Sequence, residues 1–212
     1  MVLVRPPALA RLLWPGLLWR MPAEERALYL TFDDGPEPTV TPWVLDELRA
    51  RDAKATFFIV GANAERHPEL VRRIRSEGHA IGNHTHRHLN GWRTATGEYR
   101  DEVDRAQALT GTRLFRPPYG RITRAQADML KARFTVVMWD VLSKDYDARC
   151  SPDECARNVL RAARPGSIIV FHDSRKAEAS LRHALPLALN EWKRLGYAFR
   201  ALPEEGLTAA PR

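Results

Sequence analysis

From residue 27 onward the chain alternates short apolar runs rich in β-branched and aromatic residues with stretches whose apolar positions recur every three or four residues. That alternation predicts a parallel sheet covered by helices. The extended runs fall at 27–32 (ALYLTF), 55–60 (ATFFIV), 80–83, 114–116, 134–139 (FTVVMW), 167–171 (SIIVF) and 197–200, seven strands in all. Helices are expected over 41–51, opened by Thr41-Pro42, and over 68–77, stopped by Gly78. Thr123 with Gln126, and Ser151-Pro152 with Glu154, each have the spacing of a capping box that starts a helix. Cys150 and Cys155 then occupy the two positions of a hydrophobic staple, and two cysteines are too few for a disulfide framework or a Cys-rich zinc module.

The first strand is not followed by a glycine-rich nucleotide fingerprint. Seven strands in a chain of this length therefore suit an α/β fold of one domain, a distorted (β/α) barrel of short units, better than an open nucleotide-binding sheet. The expected division is an N-terminal segment 1–26, the barrel domain 27–203 and a loose tail 204–212. The segment MVLVRPPALARLLWPGLLWRMP is apolar and basic, but Arg11 and Pro15 break it well short of the ~20 apolar residues of a bilayer span. No small-residue cleavage site follows, so a signal peptide is disfavoured. The segment is expected to pack on the barrel's base, with an in-plane amphipathic anchor carrying Arg5, Arg11 and Arg20 as the alternative. A cytoplasmic or peripheral membrane location follows as the expectation.

Composition changes this picture little. With 44% hydrophobic and 28% charged residues, 12 Gly and 15 Pro, the 212 residues are neither collagen-like nor mainly disordered. The 33 basic against 26 acidic residues give a net charge of +7, but they are spread along the chain rather than lined up on one face, so no nucleic-acid partner is expected.

The chemistry collects at strand ends, where (β/α) barrels place their active sites. The first strand ends in Asp33-Asp34-Gly35-Pro36, the third in His84-Thr85-His86-Arg87-His88, the fourth in Arg116-Pro117-Pro118-Tyr119-Gly120, the fifth in Asp140 and the sixth in His172-Asp173. Adjacent carboxylates after an apolar strand cannot face one way, so Asp33 and Asp34 divide into a base and a metal ligand. His84 and His88 are four apart, the spacing that puts both rings on one face of a helical turn. With Asp34 they form a two-His, one-carboxylate set that leaves positions open for water and substrate. A lone histidine here would be read as a structural residue, as His67, His79 and His183 are. His86 joins the set only if the segment is extended.

TFDDGP at 31–36, HTHRH at 84–88, FRPPYG at 115–120 and VFHD at 170–173 resemble, in order, the motifs of the polysaccharide deacetylase family, the NodB-like domain of carbohydrate esterase family 4. The resemblance covers about residues 27–201. It implies a distorted (β/α) barrel and metal-dependent hydrolysis of acetyl groups on sugar polymers. On this likeness Asp33 is the catalytic base held by Arg116, and Asp34, His84 and His88 hold one divalent ion, zinc foremost, with cobalt or nickel as alternatives. Tyr119 supplies a backbone N–H to the oxyanion, His172 is the general acid, and Asp145 orients and tunes it. Pro118, Tyr119, Tyr146, Val170 and Trp92 are the expected substrate contacts, and the partner is an N-acetylated carbohydrate.

The fourth motif departs from the family. Where the family has D-x-x-D-W, this chain reads Leu142-Ser143-Lys144-Asp145-Tyr146, so the first acid is absent and a smaller ring replaces Trp. Asp140 and Asp147 are the candidates to balance Arg116 in its place. Two other readings stand beside the deacetylase: the same metal chemistry on a non-carbohydrate amide, and a catalytically silent sugar-binding module.

Overall fold

The apolar run after residue 26 becomes the central strand because both of its faces are covered. In the computed structural model, which describes residues 3–23 and 25–204, β1 (Ala27–Asp33) is buried at every position but Tyr29. On one side it pairs with β2 (Ala55–Ile59), followed outward by β3 (Ala80–Asn83), β4 (Leu114–Phe115) and β5 (Thr135–Val136). On the other it pairs with β7 (Ile168–His172), which is followed by β6 (Val141–Leu142). All these pairings are parallel, giving a seven-strand curled half-barrel, and a short β8 (Ala198–Phe199) extends the sheet at the start of β1. The register sets Asp33 level with His172, so two of the expected acid–base residues leave the sheet side by side.

Among the described residues eight α-helices surround the strands: α1 (Ala8–Leu13), α2 (Val40–Arg49), α3 (Gly61–Arg66), α4 (Pro68–Ser76), α5 (Thr96–Thr110), α6 (Arg124–Lys131), α7 (Pro152–Ala162) and α8 (Glu178–Arg194). Phe32, at the middle of the sheet, stacks between Phe57 at 5.1 Å and Phe171 at 6.0 Å, and Leu45, Leu48, Leu185 and Trp192 close over them. Each such side chain contributes roughly 1.5–3 kcal/mol through burial. Both capping boxes form, at Thr123/Gln126 and Ser151/Glu154. The staple positions also meet, with Cys150 and Cys155 Sγ 3.4 Å apart.

Three expectations need correction. The run 134–139 is not one strand: only Thr135–Val136 pair with β4, and the chain then turns to begin β6 at Val141. The segment 197–200 does form a strand, but off the main path. Asp140 therefore lies at the entrance to β6, beside Ser167 at the foot of β7, on the rim opposite His172. It is fully buried and accepts from Ser167, Arg11 and Arg164, and that hydrogen bonding holds its carboxyl below the usual range despite burial.

The N-terminal segment fills the seam between the edge strands. Leu18 bonds the backbone on both sides of Val137, beyond β5, and Val4 accepts from Leu142 in β6. Leu17, Leu18 and Met21 are buried there. Arg5, Arg11 and Arg20, the polar face of the alternative anchor, are instead turned onto Ala162, Asp140 and Pro165 of the protein itself, while Leu9, Leu12 and Leu13 face outward. Among the described residues no helix is long and apolar enough to cross a membrane. Residues 205–212 of the expected tail lie outside the described residues.

Candidate metal and acid–base site

The loop after β3 does not form the helical turn expected at 84–88. It bends irregularly, with Thr85 at φ 61° and His88 at φ 57°, and these left-handed residues bring His84 and His88 to the same side. Asp34, at φ 77°, and Tyr119, at φ 60°, share that conformation, which costs an ordinary residue about 1 kcal/mol or more and concentrates where function over-determines the backbone. Asn83 Oδ1 accepts from Thr85 N, and Thr85 Oγ1 from Leu89 N, so the loop is braced by its own side chains.

Ligand atoms of Asp34, His84 and His88 all lie within 4.8 Å of one another. His88 Nε2 is 3.1 Å and His84 Nε2 3.7 Å from Asp34 Oδ1. The outer nitrogens are engaged: His84 Nδ1 donates to Arg116 O at 2.8 Å, and His88 Nδ1 is 3.1 Å from Tyr119 Oη. The carbonyl of Arg116 fixes His84 in the tautomer whose Nε2 can bind a cation, and His88 turns its Nε2 to the same carboxylate oxygen. Burial pushes the His84 imidazole down to about 4, so it is neutral at physiological pH, and the His88 hydrogen bond with the neighbouring His172 and His84 rings outweighs burial to hold Asp34 well below the usual carboxylate range. Two imidazoles and a carboxylate fit a divalent transition ion. His86 stays apart, buried against Gly61 with Nε2 3.7 Å from Glu65.

Beside this set stand two charge pairs. Arg116, fully buried, donates from Nη1 to Asp33 Oδ1 at 2.7 Å, leaving Oδ2 of that carboxylate without the guanidinium. Neither Asp140 nor Asp147 balances Arg116, since Asp140 is on the far rim and Asp147 holds Arg149. Neutral groups do so: Thr31 Oγ1, Val137 O and Met138 O accept from it, and its guanidinium lies 4.1 Å over the Phe58 ring. Leu142, where the family's acid is missing, is buried and lines the cavity as an apolar wall.

Asp145 clasps His172 with both oxygens, accepting from Nδ1 at 2.7 Å and from the backbone N–H at 2.8 Å. Burial alone would lower the imidazole; Asp145, aided by Asp34 and Asp33, overcomes it and raises His172 to about 9. The proton on Nε2 is thus retained at neutral pH.

These groups meet in a cavity of about 260 Å³ that Asp33, Asp34, His84, His88 and His172 all line. A larger open groove of about 1000 Å³ runs between residues 3–5 and α7, but no member of the metal set or of the two charge pairs faces it. The polysaccharide deacetylase family model matches residues 20–137, more than half of the chain. The chain belongs to the polysaccharide deacetylase family. It is 35% identical over 198 residues to a peptidoglycan-N-acetylglucosamine deacetylase of Bacillus cereus, covering 88% of this chain and 91% of that one. A second protein of that name from the same species is 38% identical over 160 residues, 72% of this chain and 58% of that one. A chitooligosaccharide deacetylase of Bradyrhizobium is 42% identical over 158 residues, 70% and 71% of the two chains. Among solved structures, a peptidoglycan N-acetylglucosamine deacetylase bound to a hydroxamate-type benzamide superposes with TM-score 0.85 and 34% identity over 93% of this chain and 95% of that one. A pseudoenzyme of the same family from Bacillus anthracis also matches, at TM-score 0.77 and 26% identity over 87% and 66% of the chains.

Within this family framework, the remaining expected contacts divide. Tyr119, Tyr146 and Val170 line the cavity, Tyr146 packing edge-on against His172 at 4.8 Å. Pro118 is buried behind it, and Trp92 stands outside as an exposed ring whose Nε1 donates to Ile122 O. Tyr119 N–H donates to no acceptor among the described residues. Gly120, at φ 63°, lies so close to the Trp139 ring that a Cβ would meet it at 2.3 Å, which fixes this wall. Asp173 was visible in the sequence only as the neighbour of His172. It is buried beneath the Asp33-Asp34-Gly35 turn, accepting from Gly35 N at 3.2 Å and from Thr41 Oγ1, and burial raises its carboxyl to about 8. Trp139, Arg121 and Lys176 also line the cavity and carried no signal of a strand-end motif.

Proposed function

We propose that this chain removes acetyl groups from N-acetylated sugars, with a divalent ion held by Asp34, His84 and His88. The observation that carries this reading is the convergence on one cavity of that ligand set with a carboxylate held by arginine and an imidazole held by aspartate. Zinc suits the donor set best, and cobalt or nickel would also be accepted. Such an ion would polarise the acetyl carbonyl and supply acidified water at neutral pH.

The protein's own residues perform the proton transfers. Asp33, fixed through Oδ1, takes a proton from the attacking water at Oδ2. The N–H of Tyr119 donates to the carbonyl oxygen as it becomes negative. His172, protonated because Asp145 clasps it, gives its Nε2 proton to the departing sugar nitrogen. Asp173 acts one step back, holding the turn from which Asp33 and Asp34 project.

The test is acetate release from N-acetylglucosamine oligomers by protein stripped of metal and reloaded with zinc, cobalt or nickel, beside His84→Ala. Release restored by metal and lost in the variant is expected. Silence with every metal, together with binding of the oligomers, would favour the sugar-binding module; release from small amides alone would favour the non-carbohydrate substrate.

A further inference from the structure

Cys150 and Cys155 are the only cysteines of the chain, both are free thiols, and neither takes part in the chemistry above. Cys150 stands just before the Ser151 cap and Cys155 one turn into α7, so the start of the helix sets their sulfurs 3.4 Å apart. A disulfide bond measures about 2.05 Å, so the two need to close by only roughly 1.4 Å to be joined. The thiols differ in access. Cys150 is half-buried and lines the open groove between residues 3–5 and α7, whereas Cys155 is fully buried in the core. Burial, with Cys150 and Asp145 beside it, pushes the Cys155 thiol up, so it stays protonated and out of reach while Cys150 meets whatever enters the groove. A chain of contacts runs from this pair to the proton donor. Asn158 Nδ2, on α7, lies 3.6 Å from Cys150 Sγ and donates to Ser143 O at 3.1 Å. Ser143 Oγ in turn accepts from Asp145 N at 3.3 Å, and Asp145 holds His172. Cys150 thus closes the segment that carries Asp145 and Tyr146 and hands the chain to α7.

We propose that Cys150 and Cys155 are a reversible redox pair: a small disulfide entering the groove converts them to an intramolecular disulfide that fastens the Asp145 segment to α7. With glutathione disulfide as oxidant, Cys150 Sγ attacks as the thiolate, forming a mixed disulfide and releasing one glutathione. Cys155 Sγ then gives up its proton and displaces the second glutathione from Cys150 Sγ. The pair loses two electrons and two protons, and glutathione disulfide gains them as two glutathione thiols. The new bond closes the loop 150–155, which restricts the unfolded chain and leaves Cys155 in its place in the core. The proposal does not depend on which substrate the catalytic cavity takes.

The test incubates the folded protein with glutathione disulfide and glutathione in varied ratio, quenches with acid, and counts free thiols by maleimide labelling and mass spectrometry. Both thiols should disappear together, without a bound glutathione, and return with dithiothreitol. The oxidised form should melt about 5 °C above the reduced form, and amide exchange over residues 143–150 should slow by about tenfold. In Cys155→Ala, Cys150 should stop at the glutathione adduct; in Cys150→Ala, Cys155 should remain a thiol for as long as the protein is folded. Two free thiols in the wild type at the oxidised limit, or a glutathione adduct that persists there, would overturn the proposal. So would a bond that forms but leaves the melting point and the exchange over 143–150 unchanged. The decisive readouts come from the wild type and involve no acetate release, so they stand apart from the success or failure of the deacetylase reading.

Discussion

Asp140 and Asp145 stand five residues apart, both are buried, and they end on opposite rims of the barrel. Asp140 is surrounded by Arg11, Arg164 and Ser167, partners that keep their character across the whole physiological pH range. Asp145 is paired with one imidazole that faces a cavity. A buried carboxylate fixed by permanent cations ties chain segments together, here the N-terminal segment to the foot of β7. A buried carboxylate whose partner titrates sets a protonation state that a reaction can use. Burial alone does not separate structure from chemistry; the partner does.

Substitutions on each rim sharpen that contrast. The largest effect is expected from Asp33→Asn and His172→Ala, which remove the proposed base and acid and should each lower kcat by ~10² to 10⁴ while circular dichroism shows the fold retained, the melting point falling because buried Arg116 or Asp145 loses its partner. Near-normal turnover in either variant would remove these roles. Asp173→Ala should come next, with activity reduced about tenfold or more because the Gly35 N–H and Thr41 lose their acceptor, and Asp173→Asn should recover most of it. The same loss in both variants would mean that charge matters at this position, not support of the turn.

Asp140→Ala reverses the pattern. Denaturant unfolding should show a loss of roughly 3 kcal/mol, the low end for breaking a buried pair because Arg11 and Arg164 can reach water, with turnover of the folded protein little changed. The mildest change is expected from Tyr119→Phe, which frees His88 Nδ1 without touching the backbone N–H and should weaken metal affinity by about tenfold.

Much of this site was legible in the sequence because its residues sit at the ends of long, strongly apolar strands. TFDDGP follows β1 and VFHD closes β7, and parallel pairing brings both to one rim whatever happens elsewhere. Cap chemistry was equally local, so Thr123 and Ser151 could be assigned from four residues each. What failed depended on distant partners. FTVVMWD reads as one strand, but Leu18, more than a hundred residues earlier, takes the pairing at Val137 and lets the chain turn before Asp140. His84 and His88 converge through left-handed residues that a helical spacing rule does not anticipate. The neutral balance around Arg116 was hidden because two of its three neutral acceptors are main-chain carbonyls, which leave no mark in a motif.

The contrast between the two aspartates is tested most directly by the pH dependence of kcat/KM for acetate release in the wild type, Asp145→Asn and Asp140→Asn. In the proposed mechanism His172 acts protonated, so activity should fall on the alkaline side as its proton is lost, near pH 9 in the wild type. The same pairing contributes stability that is complete below the unfolded histidine value of about 6.5 and is lost as pH rises through that of the folded protein. In Asp145→Asn the alkaline limb should move down by at least about one pH unit, and in Asp140→Asn it should stay where it is. An unmoved limb in Asp145→Asn, or a shifted one in Asp140→Asn, would contradict the assignment of chemistry to one carboxylate and architecture to the other.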